Sequence, residues 1–298
     1  MYSGTSASSF SAMQSYRYKI LVIVLGAALI GSLSMVVRAQ TVTEQGKTVS
    51  LAVDDPRPVA EAVLTLVKEY GYQITYEDPP YVYQDDLKDR YVKGFKDRIP
   101  AGGALSVSVT PSSGMSTSAD MAGLLQKLLQ AHTVADRGGH FRLVQNDQVF
   151  HVLPFEVKDH NGNWGSQTSI LDAAISLPNK ERTGMAMLED ICAAVGAASH
   201  TSVLVFSFPP NIIIPYQGVL AAENESARSV LMRVLDGTKR RLTWTLFYDP
   251  SGKLYYLSIL PVPDRMPSAP NPGATAAQPT SQPVSVPQSS PGSLSRGM

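Results

Sequence analysis

The hydrophobic pattern in the middle of the chain predicts four amphipathic helices. In four segments the apolar residues recur at steps of three and four, which places them on one side of a helix. These positions are Val59, Ala62, Val63, Leu66, Val67 and Tyr70; Met121, Leu124, Leu125, Leu128 and Leu129; Leu188, Ile191, Cys192 and Val195; and Ala227, Val230, Leu231, Val234 and Leu235. Gly71 and Gly237 are typical helix stops, and Ser226 is a typical N-cap. Each helix therefore has one apolar face that a sheet can cover.

Short extended segments between these helices predict the strands of that sheet. Runs of apolar and β-branched residues mark five of them, and turn residues bound each run. They are Ser50–Val53, Gln73–Tyr76, Leu105–Val109, Ser202–Phe208 and Gln217–Ala221. The strands are short, as expected for small α+β units.

Two hairpins complete the pattern, and their turns predict a register. A turn at Asn146-Asp147 pairs Leu143 with Phe150 and Phe141 with Val152 on one face. A turn at Asp249-Pro250-Ser251-Gly252 pairs apolar residues in the second hairpin. The predicted pairs are Leu246 with Tyr255, Trp244 with Leu257, and Leu242 with Ile259, while Thr243, Thr245, Tyr256 and Ser258 face outward.

The order helix, strand, strand, helix, hairpin occurs twice, which predicts a duplicated architecture. We expect an α+β fold of two tandem small modules, each with short strands, two helices and a closing hairpin. The modules span 50–157 and 174–262, and a polar linker at 158–173 joins them.

Both ends of the chain differ in composition from the middle of the chain. Residues 20–37 carry no charge and are flanked by Lys19 and Arg38, so 1–39 is expected to be an export segment. Cleavage after Ala39 makes it a signal peptide, whereas retention makes it a signal anchor. Nine prolines fall between Pro261 and Pro291, so 263–298 is expected to be a disordered Pro/Ser-rich tail.

Composition excludes several classes of function. The 25 basic residues balance the 25 acidic residues, so no basic excess indicates nucleic-acid binding. A single cysteine, Cys192, excludes an intramolecular disulfide and a multi-thiolate metal site. No catalytic or phosphate-binding motif is present. We therefore expect a non-enzymatic protein with no catalytic residue, no cofactor-binding residue and no metal site.

Two weaker candidates for chemistry have structural explanations. His140 and His151 are expected on the outer face of the first hairpin, where a solvated sheet face explains them better than a metal site does. Asp159–Asn163 alternates oxygen donors as a calcium loop does. However, Trp164 takes the place of the required glycine, and Ile170 that of the bidentate carboxylate.

The segment 78–103 is the candidate interaction loop. Its aromatic residues Tyr81, Tyr83, Tyr91 and Phe95 stand among many charged side chains. A loop of this length in a small domain is often functional, and this mixture suits a sugar, peptidoglycan or protein partner. The alternative is a short solvated helix at Gln84–Phe95 whose aromatic residues simply pack down.

One part of the second module resembles a known family. The run Gly218–Ala222, the helix Ser226–Gly237, and the strands from Leu242-Thr243-Trp244-Thr245 to Leu260 look like the secretin and TonB N-terminal short domain. Met121–Leu129 and its hairpin repeat the likeness more faintly. That domain accompanies an outer-membrane barrel or a secretin pore, and this chain contains neither. The resemblance therefore implies a role in gating or signalling to such a barrel only by analogy.

These observations predict an exported, non-enzymatic interaction or assembly module of a bacterial cell envelope. The expected location is the periplasm or cell envelope, with inner-membrane anchoring if the signal is retained. The expected partner is an envelope protein and not a nucleic acid, and membrane contact is expected only through 20–37 if that segment is uncleaved. The alternative is a glycan- or peptidoglycan-binding protein, or an enzyme, that uses the 78–103 loop.

Overall fold

The computed structural model describes residues 41–45, 48–112, 115–136 and 138–264, and it confirms a mixed α+β fold. Its α-helices are α1 (Pro58–Tyr70), α2 (Ser118–Val134), α3 (Gly184–Ser199), α4 (Pro210–Ile213) and α5 (Ala227–Gly237). Its strands are β1 (Thr41–Gln45), β2 (Thr48–Asp55), β3 (Gln73–Glu77), β4 (Leu87–Val92), β5 (Phe95–Pro100), β6 (Gly103–Val109), β7 (His140–Asn146), β8 (Val149–Lys158), β9 (Trp164–Ser166), β10 (Ala174–Thr183), β11 (Val203–Ser207), β12 (Gln217–Ser226), β13 (Leu242–Asp249) and β14 (Leu254–Pro261).

The predicted ends of the chain fall almost entirely outside this description. The export segment 1–39 lies outside the described residues, and so does the tail 263–298 except for Pro263 and Asp264. Among the helices that the structure describes, none has the length and hydropathy needed to cross a membrane.

The four predicted helices are confirmed, and local signals define their ends. Gly71 ends α1 with a φ of 61°, and its N–H donates to the carbonyl of Val67. The hydroxyl of Ser226 caps α5 by accepting from the N–H of Ser229. The cap of α2 is Thr117, whose hydroxyl accepts from the N–H of Asp120. Short polar side chains at these positions satisfy N–H groups that the helix itself leaves unpaired.

A six-stranded path forms the central sheet, in the order β11-β14-β13-β3-β8-β7, and β9 also pairs with β8. In the first half of the molecule, residues 48–158, β3 is parallel to β8 and β8 is antiparallel to β7. In the second half, residues 174–261, β11 is parallel to β14 and β14 is antiparallel to β13. Two smaller sheets, β1-β2-β6 and β10-β12, complete the halves.

The two halves share this central sheet because β13 pairs in parallel with β3. Thr245 lies opposite Tyr76, and Leu246 lies opposite Glu77. Thr243 Oγ1 also donates to the carbonyl of Ile74, at 2.5 Å. We call this pairing the β3·β13 junction.

The two halves place their helices on opposite faces of the central sheet. Successive side chains of a strand point to opposite faces. Ile74 and Phe150 therefore pack with α1 and α2 on one face, while Trp244 and Leu257 pack with α3 and α5 on the other. Each half has its own hydrophobic core.

The predicted hairpin registers are wrong by two residues, although the predicted faces hold. Leu143 pairs with Val152 because the first turn is Asp147-Gln148 and not Asn146-Asp147. Trp244 pairs with Ile259 because the second loop extends over four residues, 250–253. A shift of two residues keeps every side chain on its face, since side chains alternate with a period of two.

The prediction that the other faces of the hairpins are solvated holds for Arg142, which is exposed, but it is wrong for several other residues. Thr243 and Thr245 are buried, as is His151 on the first hairpin. The reason is the β3·β13 junction. It brings each half against the strand face that the other half leaves uncovered, and no local pattern marks this contact.

Segment 158–173, expected to be a linker, contains β9 and a 3₁₀ turn at Ile170–Asp172. Its residues Ser169 and Leu171 are buried against the rest of the molecule. Leu171 belongs to the core of the second half.

Candidate interaction site

The centre of segment 78–103 is a β-hairpin, β4-β5, and not the alternative helix Gln84–Phe95. We call this hairpin, residues 87–100, the arm. Val92 pairs with Phe95, so the turn consists of Lys93 and Gly94. Their φ angles of 50° and 84° are those of a type I′ turn, the two-residue loop that matches the twist of a hairpin. Glycine at the second turn position favours this turn, so the segment forms a hairpin here and not a helix.

The tip of the arm carries two solvent-exposed aromatic rings. Tyr91 is 71% exposed and Phe95 is 79% exposed. Tyr91 pairs with Lys96, whereas Phe95 pairs with Val92, so the two aromatic residues lie on opposite faces of the arm. Solvent-exposed aromatic residues add nothing to the core, and they are the side chains that most often anchor protein interfaces.

Ion pairs run along the arm from strand to strand. Arg90 Nη2 lies 2.7 Å from Asp97 Oδ2, and Lys96 Nζ lies 2.9 Å from Asp89 Oδ2. These pairs are exposed, and each is worth under about 1 kcal/mol. Over its whole length the arm has five basic and two acidic residues, a net charge of +3. Lys93, at the turn, makes the tip itself basic.

The other two predicted aromatic residues belong to the base of the segment. Tyr81 is buried, and its hydroxyl donates to Asp78 Oδ1 at 3.2 Å. The hydroxyl of Tyr83 donates to Asp85 Oδ2 at 2.9 Å, and Lys158 Nζ lies 5.6 Å from the centre of the Tyr83 ring. The structure therefore brings Tyr91 and Phe95 to the tip and keeps Tyr81 and Tyr83 at the anchored end.

The buried carboxylate of Asp78 holds the base of the segment to both halves. It accepts hydrogen bonds from the Tyr76 hydroxyl at 2.7 Å, from Arg57 Nε at 2.6 Å and from the backbone N–H of Tyr248 at 3.0 Å. Arg57 Nη2 also donates to the carbonyl of Tyr248 at 2.6 Å. Burial, followed by the charge of Asp78, raises the pKa of Tyr76 and of Tyr81 well above the usual value. Both phenols therefore remain hydrogen-bond donors at neutral pH.

Two further contacts fix the arm. Lys158 Nζ lies 3.6 Å from Oδ1 of the buried Asp86, and burial raises the pKa of that carboxyl. On the second half, Ser251 Oγ donates to Asp97 Oδ1 at 3.0 Å and accepts from the N–H of Arg98 at 2.9 Å. The arm is thus fixed beside its base through Asp86 and along β5 through Asp97 and Arg98.

A second buried charge pair lies beside this base, at the β3·β13 junction. Glu77 Oε1 accepts from Arg228 Nη2 at 2.9 Å and from Arg228 Nε at 3.1 Å. Ser169 Oγ donates to the other carboxylate oxygen, and Asp172 also pairs with Arg228. Burial raises the pKa of Glu77, and the charge of Arg228 opposes that shift.

Sequence reasoning missed Arg57, Asp78 as a hub, Glu77 and Arg228. Their partners lie far away in the chain, so no local spacing marks them. The one available signal was the paired acidic residues Glu77-Asp78 at the end of an apolar strand, because adjacent buried acids require basic partners.

His140, His151 and Cys192 lie in environments that a structural role explains. His151 Nδ1 lies 2.9 Å from Thr75 Oγ1, and burial followed by the charge of Arg228 lowers the pKa of His151 to about 4. His140 Nδ1 lies 2.9 Å from Glu156, and its ring stacks on Trp164. Burial raises the pKa of the Cys192 thiol to about 12. Across the described ranges, no group of three His, Cys, Asp or Glu residues is placed to hold a metal ion.

The calcium-like loop satisfies its own backbone. Asp159 Oδ1 accepts from the N–H groups of Asn161 and Asn163, and these bonds lower the pKa of Asp159. The alternating polar residues thus form a turn closed by an aspartate side chain.

Comparison with known proteins assigns this chain to no family. No protein-family model, no curated protein and no solved structure matches it. The arm and the residues that anchor it are therefore the basis for a functional hypothesis.

Proposed function

We propose that this protein is an exported, non-enzymatic interaction or assembly module of a bacterial cell envelope, and that it contacts an envelope protein through the tip of the arm. The observation that supports this proposal is the contrast between the two ends of segment 78–103. Its base is fixed by Asp78, Arg57 and Asp86, while Tyr91 and Phe95 at the tip are bare. A preorganised support under exposed aromatic residues lowers the entropy lost on binding.

The internal pairing pattern supports two tandem copies of one small α+β unit, at 50–157 and 174–262. In the first half β2 pairs antiparallel with β6, and β3 is parallel to β8. In the second half β10 pairs antiparallel with β12, and β11 is parallel to β14, so the two patterns match when the arm, β4-β5, is set aside. The segment that resembles the secretin and TonB N-terminal short domain comprises β12, α5, β13 and β14. A role beside a barrel or pore follows from this resemblance by analogy.

Export rests on the N-terminal sequence alone. The uncharged stretch 20–37 would carry the body across the inner membrane, with cleavage after Ala39 releasing it to the periplasm. Intact-mass measurement on the protein from producing cells tests this: a chain beginning at Gln40 supports cleavage, and a chain that keeps residues 1–39 supports anchoring. Recovery from the cytoplasm alone would contradict export.

The contact itself is testable by crosslinking in living cells. A photoreactive amino acid at position 95 of the full chain is expected to form an adduct with an envelope protein. The same amino acid at Val219, which is 69% exposed on β12, is the matched control. Equal adducts at both positions, or none at position 95, would contradict the proposal.

A second candidate function has its own supporting observation. Tyr91 shares a face of the arm with Lys96, Asp89 and Arg98, so an aromatic surface adjoins charged donors and acceptors. This arrangement suits a glycan or peptidoglycan ligand, bound as such or as the substrate of an enzyme that uses the loop. Co-sedimentation with purified peptidoglycan sacculi, lost in Tyr91→Ala, would favour it over a protein partner.

A further inference from the structure

Among the described strands, the two that correspond to the partners in the β3·β13 junction each have one unpaired edge. The junction joins the second strand of the first half, β3, to the first hairpin strand of the second half, β13. The second strand of the second half is β11, and the first hairpin strand of the first half is β7. These two strands are the outer edges of the central sheet.

The pairing registers give the residue correspondence. The hairpins close at Asn146 opposite Val149 and at Asp249 opposite Leu254. Ile74 pairs with the residue after Val149, and Val203 pairs with the residue after Leu254. Position 74 therefore corresponds to 203, and Thr75 corresponds to Leu204. Counted along the chain, Glu77 corresponds to Phe206, which the register shift after Val205 leaves out of the pairing with β14.

These corresponding positions differ in chemistry and in burial. Thr75 and Glu77 are polar and fully buried by the β3·β13 junction. Leu204 and Phe206 are apolar, and they are 37% and 40% exposed. The Phe206 ring centre lies 5.2 Å from that of Tyr256, so the apolar surface continues onto β14.

Strand β11 has only one of the usual protections of a sheet edge, a register shift after Val205. Natural edges are blocked by charges, prolines or bulges, because free N–H and C=O groups recruit other strands. The sequence of β11, VLVFS, contains no charge and no proline, although its pairing shifts by one residue after Val205. Strand β10, by contrast, contains Pro178, two register shifts and Arg182, which donates to the carbonyls of Pro178 and Lys180.

We propose that copies of this chain associate head to tail, with β11 of one copy pairing in parallel with β7 of the next. The contact repeats the β3·β13 junction between molecules. In that junction Thr245 lies opposite Tyr76, and these positions correspond to Arg142 and Val205. Leu246 lies opposite Glu77, and these correspond to Leu143 and Phe206.

The first turns of helices α5 and α2 are consistent with the proposed pairing of β11 with β7. Arg228, the second residue of α5, pairs with Glu77 at the β3·β13 junction. The second residue of α2 is Ala119, which is small and exposed. A polar pair within the chain is thus replaced by an apolar pair, Ala119 with Phe206, between copies. Burying an exposed phenylalanine against apolar surface is favourable.

The geometry of the contact sets the kind of assembly. The two edges are different surfaces, so each copy keeps one free edge after pairing, and association continues to a filament or closes to a ring. The arm takes no part in it. Self-association and the proposed function of the arm can therefore fail independently.

Sedimentation velocity of the full chain over a concentration series tests the proposal. We expect species heavier than the monomer that grow with concentration, and we expect Phe206→Lys to abolish them. The matched control Val219→Lys and the tip variant Phe95→Ser are expected to keep them. Monomer at every concentration would overturn the proposal, and so would equal assembly by Phe206→Lys and its parent when thermal melting shows both folded.

Crosslinking of mixed variants tests the pairing itself and does not depend on a charge being tolerated. Phe206→Cys and Leu143→Cys are mixed and treated with a short bismaleimide, which Cys192 escapes because it is buried. We expect adducts that join position 206 of one copy to position 143 of another. Adducts between two copies of position 206 alone would show a twofold contact and overturn the head-to-tail arrangement, and the absence of adducts would overturn association through these edges.

Discussion

Arg228 forms a partly buried ion pair with Glu77, a buried residue 151 positions earlier in the chain. The pair lies where the second half meets the last residue of β3, beside the hub formed by Asp78 and Arg57. Two charge pairs at the end of one strand therefore tie the halves together. Buried pairs of this kind are costly to break, because the remaining charge is left without a partner.

We expect Arg228→Met to lower the free energy of unfolding by about 3–5 kcal/mol, because it leaves Glu77 buried and without its cation. Chemical denaturation measures the change. Arg233 on the same helix is the matched control, since its pair with Glu225 is exposed at 2.7 Å. Arg233→Met is expected to cost under about 1 kcal/mol. Equal costs would contradict a tightly buried junction.

The indole of Trp244 fills the core of the second half, and its Nε1 has no hydrogen-bond partner among the described residues. We expect Trp244→Ala to cost about 3–5 kcal/mol through the cavity it leaves. Trp244→Phe is expected to cost much less, because it keeps most of the ring volume and removes an unsatisfied N–H. If chemical denaturation showed that Trp244→Phe loses more free energy of unfolding than Trp244→Ala, Nε1 would have a hydrogen-bond partner.

The lowered pKa of His151 makes stability depend on pH. The folded protein keeps this imidazole neutral down to about pH 4, whereas the unfolded chain binds a proton near pH 6.5. The contribution of His151 to stability is therefore fully present above about pH 6.5, and about 3 kcal/mol of it is lost as the pH falls to 4.

Variants of two histidines isolate the contribution of His151 to the pH dependence of stability, in denaturation curves at pH 7, 5.5 and 4. His151→Gln is expected to flatten the pH dependence relative to the parent protein. Glu77, whose pKa burial raises, titrates in both proteins and cancels in the difference. The exposed His160, changed to Gln, is the control and is expected to keep the parent slope. An unchanged slope in His151→Gln would show that the imidazole is charged in the folded state.

Local periodicity predicted the long helices, because the spacing of apolar residues within one helix is a property of contiguous sequence. The same reasoning placed Trp244 on the inner face of its hairpin. It failed for Thr245, because a threonine on the second face of a strand is typical of a solvated surface. Burial of Thr245 depends on β3, about 170 positions away, and nothing in either strand marks the other as its neighbour.

The sequence indicated the segment that contains the candidate site, but neither its shape nor the residues that anchor its base. The cluster of aromatic and charged residues at 78–103 indicated an unusual segment, and Lys93-Gly94 could have indicated a type I′ turn. The division into a fixed base and a bare tip could not be foreseen. It depends on contacts of Asp78 and Asp97 with Tyr248 and Ser251 in the other half.

Gly94, in the turn of the arm, and Gly102, two residues after the arm, are expected to differ in their tolerance of substitution. A Cβ at Gly102 would lie 2.3 Å from the carbonyl oxygens of Asp55 and Pro56, whereas a Cβ at Gly94 meets nothing within 4 Å. Gly94→Ala is expected to cost about 1–2 kcal/mol, from its positive φ alone. Gly102→Ala carries that strain and a backbone clash, so thermal melting should show the larger loss. Equal losses would contradict the close packing of the arm's base against the residues before α1.

We expect the β3·β13 junction and its two charge pairs to make the two halves one cooperative unfolding unit. The two tryptophans report on the two halves, since Trp164 stacks on His140 and Trp244 lies in the second core. Trp164→Phe and Trp244→Phe each leave one reporter, and unfolding by denaturant is followed by fluorescence and by circular dichroism. Within each variant, we expect the fluorescence of the one remaining tryptophan and the circular dichroism to report the same unfolding transition. A fluorescence transition separate from the circular dichroism transition, or a circular dichroism curve with two steps, would contradict this expectation.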